Sequence, residues 1–355
     1  MRYIELDLGA ARLREGPEPE LQPGFARVRV LACGVCGTDR DLLHGIVLPP
    51  GASYPVRPGH EVAGIVEQVD GDHGRVSEGD LAVLHPLSPC GCCPACRQGD
   101  REQRCQAIRT LGIQDPGGFA EHVVWPATRM LPANGIDPAA AALLADAAAT
   151  AHNAVRLAGV PRGGSLCVLG AGGLGTAALA IARALDPGVR LAAVVRSEAS
   201  AARVEALGIE AHRGLGDAAR ELRRHVGRVD AVIDFSGRPE APAEGVALLR
   251  RGGRLVLGSL VDAPLALGAS STFMARELEI VGAYASSIED LAAVIELARD
   301  GRLDVGAWVS RRLPLEDFER AMALAEERPD GIVRVVVQCG AAGSAGRDGR
   351  RPAER

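Results

Sequence analysis

Hydrophobic and polar positions follow two rhythms along the chain. Early on, apolar residues come in short runs: ARVRVLACGV (26–35), HEVAGIVEQV (60–69) and GDLAVLHP (79–86). Each reads as a strand, and the Gly and Pro between them suggest a barrel-like or irregular β-rich region. Near residue 138 the rhythm changes. PAAAALLADAAATAHNAVRLAGV (138–160) is strongly helix-forming. SLCVLGAGGLGTAALAIARAL (165–185) then predicts strand, glycine turn and helix. RLAAVV (190–195), VDAVIDFSG (229–237), GGRLVLGSL (252–260) and ELEIVGAYA (277–285) predict further buried strands, with a helical piece, ARVEALG (202–208), between the first two. Strands alternating with helices imply a parallel sheet. A helix is expected at DLAAVIELARDG (290–301). Residues 305–339 supply more strands and a helix, LEDFERAMALAEER (315–328).

The expected fold class is α/β, a Rossmann-type doubly wound parallel sheet joined to the irregular β-rich domain. The division expected is 1–147 for the β-rich domain, 148–288 for the parallel sheet and 289–339 for a segment returning to the first domain. Residues 340–355, GAAGSAGRDGRRPAER, have the composition of a disordered tail.

Composition narrows the class. The 355 residues are 47% hydrophobic, enough for two cores. A net charge of −5 favours neither nucleic acid nor an anionic membrane as partner. No eighteen-residue apolar stretch lacks charge, and MRYIELDLGA does not read as a secretory signal. A cytoplasmic enzyme acting on a small molecule is the expectation. The nine cysteines are clustered, which argues for metal rather than a disulfide scaffold.

The turn GAGGLG (Gly170, Gly172, Gly173, Leu174 and Gly175 among its residues) stands between a strand and a helix. Residues without bulk let backbone approach a pyrophosphate, and the helix N-terminus offers N–H donors. An acid should close the next strand to hold the ribose hydroxyls of NAD. Here the strand ends Val195, Arg196, Ser197. Arg196 and Ser197 could hold a 2′-phosphate, so NADP is favoured over NAD, with Glu198 as the acid that could still serve NAD.

CGCCPACRQGDREQRC brings together Cys90, Cys93, Cys96 and Cys105, with Cys92 to spare. Four thiolates on one small loop suit a closed, structural zinc site; an iron–sulfur cluster is the competing metal, though no distant Cys-Pro completes its pattern. A second constellation is more open. Cys36 lies in CGVCGTDRD and His60 and Glu61 in PGHEVAG. A catalytic zinc needs a third protein ligand and an open position. Asp146, the only acid between Asp137 and Asp186, is the candidate; it could instead cap a helix starting at Ala147.

With GVCGTD, GHE, CxxCxxC and GxGGLG in this order, the chain resembles the zinc-dependent medium-chain dehydrogenase/reductase family, the alcohol and polyol dehydrogenases, over residues of about 20–337. The resemblance implies a GroES-like catalytic domain and two zinc ions per subunit. Cys36, His60 and Asp146 would hold the catalytic zinc, with Glu61 close by, and the four cysteines the structural one. Thr38 would hydrogen-bond the substrate oxygen and Asp39 would orient the histidine. The reaction implied is reversible hydride transfer between a secondary alcohol or polyol and NAD(P), in a homodimer or homotetramer. Many relatives carry a proton-relay histidine where this chain has Asp41; the relay then falls to Asp41 or to His44. A sugar dehydrogenase of the same family, which shares the GTDRD form, and a non-catalytic zinc-binding relative are the alternatives.

Overall fold

Phe25–Gly34 anchors the first sheet. Its alternate residues Ala26, Val28, Val30 and Ala32 are buried, as a strand with one face on a core requires. In the computed structural model, residues 1–340 are described except 47, 72–74, 100, 215–223, 225, 226 and 330. Apart from Gly340, the tail expected over 340–355 lies outside the described residues. The sheet order is Val309–Pro314, Arg334–Gln338, Phe25–Gly34, Glu61–Val69, Leu81–Leu84, Met130–Pro132, with His122–Pro126 also on Phe25–Gly34. Its pairings are antiparallel except the first, which is parallel. The late strand Arg334–Gln338 thus lies beside an early one. Its register sets Val336 opposite Gly34, and Gly34 opposite Glu61, which carries Arg334 to the Glu61 side chain.

The second sheet has six parallel strands: Glu210–Arg213, Arg190–Val195, Ser165–Leu169, Val229–Asp234, Leu249–Leu257 and Glu279–Gly282. SLCVL is buried throughout, as expected of a strand covered on both faces. Strand order reverses between Ser165–Leu169 and Val229–Asp234, the switch point that opens a ligand crevice at the carboxyl ends. The α/β fold with a Rossmann-like sheet and a β-rich domain is therefore present.

One alanine-rich helical run joins the two sheets. Pro138–Leu143 packs on Phe25–Gly34 and Glu61–Val69, and Ala149–Ala158 packs on the helix Gly173–Leu185. Small side chains allow both close approaches. Asp137 caps the run by accepting from the backbone N–H of Ala140. An N-terminal hairpin, Arg2–Asp7 with Ala10–Glu15, was not anticipated. Among the described residues, no helix is long and apolar enough to cross a membrane.

Candidate active site

Cys36 ends the bend after Phe25–Gly34 and caps a short helix, Gly37–Leu43; its backbone N–H donates to Asp39 Oδ2 at 2.9 Å. His60 and Glu61 open the strand Glu61–Val69. Asp146 lies in a π turn, Leu144–Ala148, inside the helical run. The capping alternative is thereby corrected: the backbone is already helical before Asp146, so there is no helix start to cap. A π turn re-aims one side chain out of the regular helical face. Here Asp146 Oδ1 accepts from Thr150 Oγ1 at 2.6 Å, and Oδ2 lies 3.8 Å from Cys36 Sγ and 3.6 Å from His60 Nε2. The ligand atoms of Cys36, His60, Glu61 and Asp146 all lie within 4.8 Å of one another.

The electrostatics favour a cation at this point. Burial works against a charged His60, yet Cys36, Asp146 and Asp39 outweigh it and hold the imidazole well above its ordinary range. Burial likewise opposes charge on Asp146, but His60 and Thr150 pull its carboxyl down to about 2. Burial raises Glu61, against the opposing charge of Arg334, with which it is paired. Asp39 Oδ1, His60 Nδ1 and Glu61 Oε1 are buried without hydrogen-bond partners among the described residues. A thiol, an imidazole and carboxylates converging in this way fit a zinc ion, with Asp39 facing the far side of the His60 ring at 3.8 Å.

The other cluster is a lobe over Cys90–Cys105. Cys93 Sγ and Cys96 Sγ are 3.5 Å apart, Cys90 Sγ and Cys96 Sγ 4.0 Å, and Cys105 joins them within 4.8 Å. Sulfurs bound tetrahedrally at zinc's bond length are spaced by roughly 3.8 Å, so the donors fit. Backbone N–H groups of Cys92 and Cys93 point at Cys90 and bring its thiol down to about 6, toward the thiolate a metal needs. Cys92 is outside the group of four, with its sulfur 3.7 Å from Cys90 Sγ.

The glycine turn lies beside the first cluster: Cys36, Gly37 and Gly173 line one cavity. Gly170 has φ of +87°, and a Cβ on Gly175 would run into the Gly170 carbonyl, so the turn requires both glycines. Three arginines converge here that the sequence reading did not assign to the site. Arg334 lies against Gly173 and Arg328 against Gly172, and Arg40 lines the same cavity. Burial lowers the Arg328 pKa, and the charges of Arg40, Arg334 and Arg196 lower it further. Cations gathered at the N-terminus of Gly173–Leu185 can hold a diphosphate. Arg334 had a visible signal: an arginine inside GIVRVVV is costly unless paired.

The remaining candidates are placed as follows. Thr38 Oγ1 is 4.0 Å from Cys36 Sγ. Asp41 does not join the donors; its Oδ1 accepts from Arg40 at 2.6 and 2.9 Å. His44 faces Glu326 at the surface. Val195 closes its strand with no acid, Arg196 is exposed, and Ser197 caps the helix Glu198–Ala206 by accepting from Ser200 N–H. Leu174 follows Gly173 in the first turn of its helix.

Known proteins resemble this chain over most of its length. Residues 22–135 match the alcohol dehydrogenase GroES-like domain and residues 173–300 the zinc-binding dehydrogenase model. The chain is 32% identical to L-galactonate-5-dehydrogenase of Escherichia coli (strain K12), over 87% of this chain and 91% of that one. It is 32% identical to D-altritol 5-dehydrogenase of Agrobacterium fabrum, over 88% and 92%. A cobalt- and zinc-bound thermostable alcohol dehydrogenase from Pyrobaculum aerophilum superposes with a TM-score of 0.81 at 28% identity, over 95% of this chain and 99% of that one.

Proposed function

The chain belongs to the zinc-dependent medium-chain dehydrogenase/reductase family and is an NAD(P)-dependent oxidoreductase; from that premise we propose that it oxidises a secondary carbinol of a polyol or polyhydroxy acid, reversibly, with NADP. The observation that carries the reading is the shared cavity of Cys36 and Gly173, which sets a metal donor beside the glycine turn. The polyol class is supported by the substrates named for L-galactonate-5-dehydrogenase and D-altritol 5-dehydrogenase. NADP is supported by the missing acid at Val195 and by the exposed Arg196.

Cys36, His60 and Asp146 would hold the catalytic zinc and the four cysteines the structural one. When bound, zinc would supply a Lewis acid that makes an alcohol hydroxyl more acidic, and the dinucleotide would supply the hydride acceptor. The chain's residues do the rest. Thr38 takes the hydroxyl proton. Asp41 stands three residues on, along the same helical face, and leads that proton toward solvent. Asp39 orients His60, and Thr150 orients Asp146. Glu61, paired to Arg334, offers a further oxygen near the donors. Arg328, Arg334 and Arg40 would hold the diphosphate. Initial rates of the zinc-loaded enzyme over a panel of polyols, sugar acids and simple secondary alcohols, with NADP⁺ and NAD⁺, test the reading. Polyols or sugar acids with NADP⁺ are expected to turn over fastest; a preference for simple alcohols would refute the substrate class. Asp41→Asn is expected to shift the pH profile of kcat; an unchanged profile removes Asp41 from the proton path.

A further inference from the structure

The cysteine lobe and the end of the parallel sheet are joined through one carboxylate. Glu102 lies between Cys96 and Cys105. It accepts from Arg129 Nη1 at 2.8 Å, from Arg129 Nη2, and from the backbone N–H of Ile288 at 2.8 Å. Ile288 opens the helix Ile288–Arg299, directly after the segment 283–287 that leaves the strand Glu279–Gly282. Arg129 Nη2 also lies 2.7 Å from His85 Nδ1, and His85 Nε2 lies 3.1 Å from Ser286 Oγ. Because Arg129 occupies Nδ1 as donor, the His85 proton is on Nε2 and is donated to Ser286. His85 and Ser286 are fully buried. The Arg129 guanidinium is paired with the Glu102 carboxylate.

The same segment is held from its other side. Asn153 Nδ2 donates to the Ala285 carbonyl at 2.8 Å. Ala285 has φ of +45°, a left-handed conformation that a non-glycine residue keeps only where its surroundings impose it. Asn153 stands on the helix Ala149–Ala158, which directly follows the π turn that carries Asp146. The segment therefore links the lobe to the helical run of a metal donor, at the strand ends where a dinucleotide would lie.

We propose that Glu102 is a positioning residue for the dinucleotide: by holding Ile288, and Ser286 through Arg129 and His85, it sets the conformation of 283–287 and couples the cysteine lobe to cofactor affinity. This rests on the reading of the lobe as a zinc site and of the cleft as an NADP site. Cys96 and Cys105 bracket Glu102, so a metal joining those sulfurs fixes the turn that carries its carboxylate.

The test uses zinc-loaded wild type, Glu102→Gln and Ser286→Ala. Ser286→Ala cuts the arm through His85, leaving the Ile288 bond, without touching the lobe or leaving Arg129 unpaired. NADPH and NADH affinity is read by fluorescence titration, zinc content by elemental analysis, and the segment by hydrogen exchange over 283–292. Both variants are expected to retain wild-type zinc content, exchange faster over that segment and bind cofactor roughly 5-fold more weakly. The KM for cofactor should rise with them, while kcat at saturating cofactor holds within about twofold. Wild-type affinity in both variants overturns the proposal. So does weak binding in Glu102→Gln that accompanies lost zinc while Ser286→Ala binds normally. A wild type that binds neither dinucleotide would instead overturn the reading of the cleft.

Discussion

Asp146 is held by two partners of different kind: the Thr150 hydroxyl fixes one oxygen, and Cys36 and His60 surround the other. Asp146→Asn keeps the shape and removes the charge. It is expected to lower bound zinc from two ions per chain to one, since the described residues form two donor clusters. It should cut kcat/KM by more than about 100-fold, beyond what loss of a supporting hydrogen bond costs. Thr150→Val removes only the hydroxyl, and a loss of roughly 10-fold in zinc affinity or kcat/KM is expected. Retention of both ions by Asp146→Asn, measured by elemental analysis, would take Asp146 out of the ligand set. The sequence pointed to this acid because it stands alone among alanines, but it could not separate a ligand from a cap. That distinction needed the π turn, which leaves no mark in composition or period. Arg196 belongs to the same scale. Arg196→Asp is expected to reduce kcat/KM with NADP⁺ by about 10-fold or more while sparing NAD⁺; equal loss with both would mean that Arg196 does not read a 2′-phosphate.

Most strands and the glycine turn were legible because each follows a local rule; the strand expected to be buried at ELEIVGAYA is instead a short edge strand, Glu279–Gly282, that is largely exposed. SLCVL is buried on both faces and is followed at once by GAGGLG and a helix. That 289–339 returns to the first domain was expected, but which strand it pairs with was not legible. Arg334 reaches Glu61 only because a strand from the end of the chain lies beside Phe25–Gly34, and nothing local announces that neighbour. His85 is a similar case: GDLAVLHP reads as a strand end, whereas the folded chain encloses His85 among Arg129, Ser286 and Leu87. Burial, then the Arg129 charge, bring its pKa from 6.5 down to about 3. The folded state thus resists a proton that the unfolded chain accepts. This contribution is complete above about pH 6.5 and declines as pH falls toward about 3. Urea midpoints should therefore drop between about pH 7 and about pH 5, and less steeply in His85→Gln. Equal slopes in wild type and variant would mean that His85 is not the group responsible.

At the scale of the whole molecule, the parallel sheet ends in an open edge. Among the described residues, Glu279–Gly282 pairs on one side only, Ile280 is exposed, and Leu260 and Met274 are exposed as well. An apolar unpaired edge is a template for a second strand. We expect a homodimer joined through this edge, and Ile280→Lys should shift the mass in solution toward the monomer; an unchanged mass would place the contact elsewhere. The composition excluded other classes early, but it carried no trace of substrate, because the cleft is made by residues from opposite ends of the chain. The central claim is that a zinc centre of Cys36, His60 and Asp146 and a dinucleotide on the glycine turn together move a hydride from a polyol carbon. Its most direct test is to incubate the zinc-loaded enzyme with NADP⁺ and polyols or sugar acids deuterated at their secondary carbinol carbons, and to analyse the recovered dinucleotide by mass spectrometry. The account predicts deuterium in the reduced nicotinamide ring. With both metals bound, its absence for every such compound and for both dinucleotides would contradict the account.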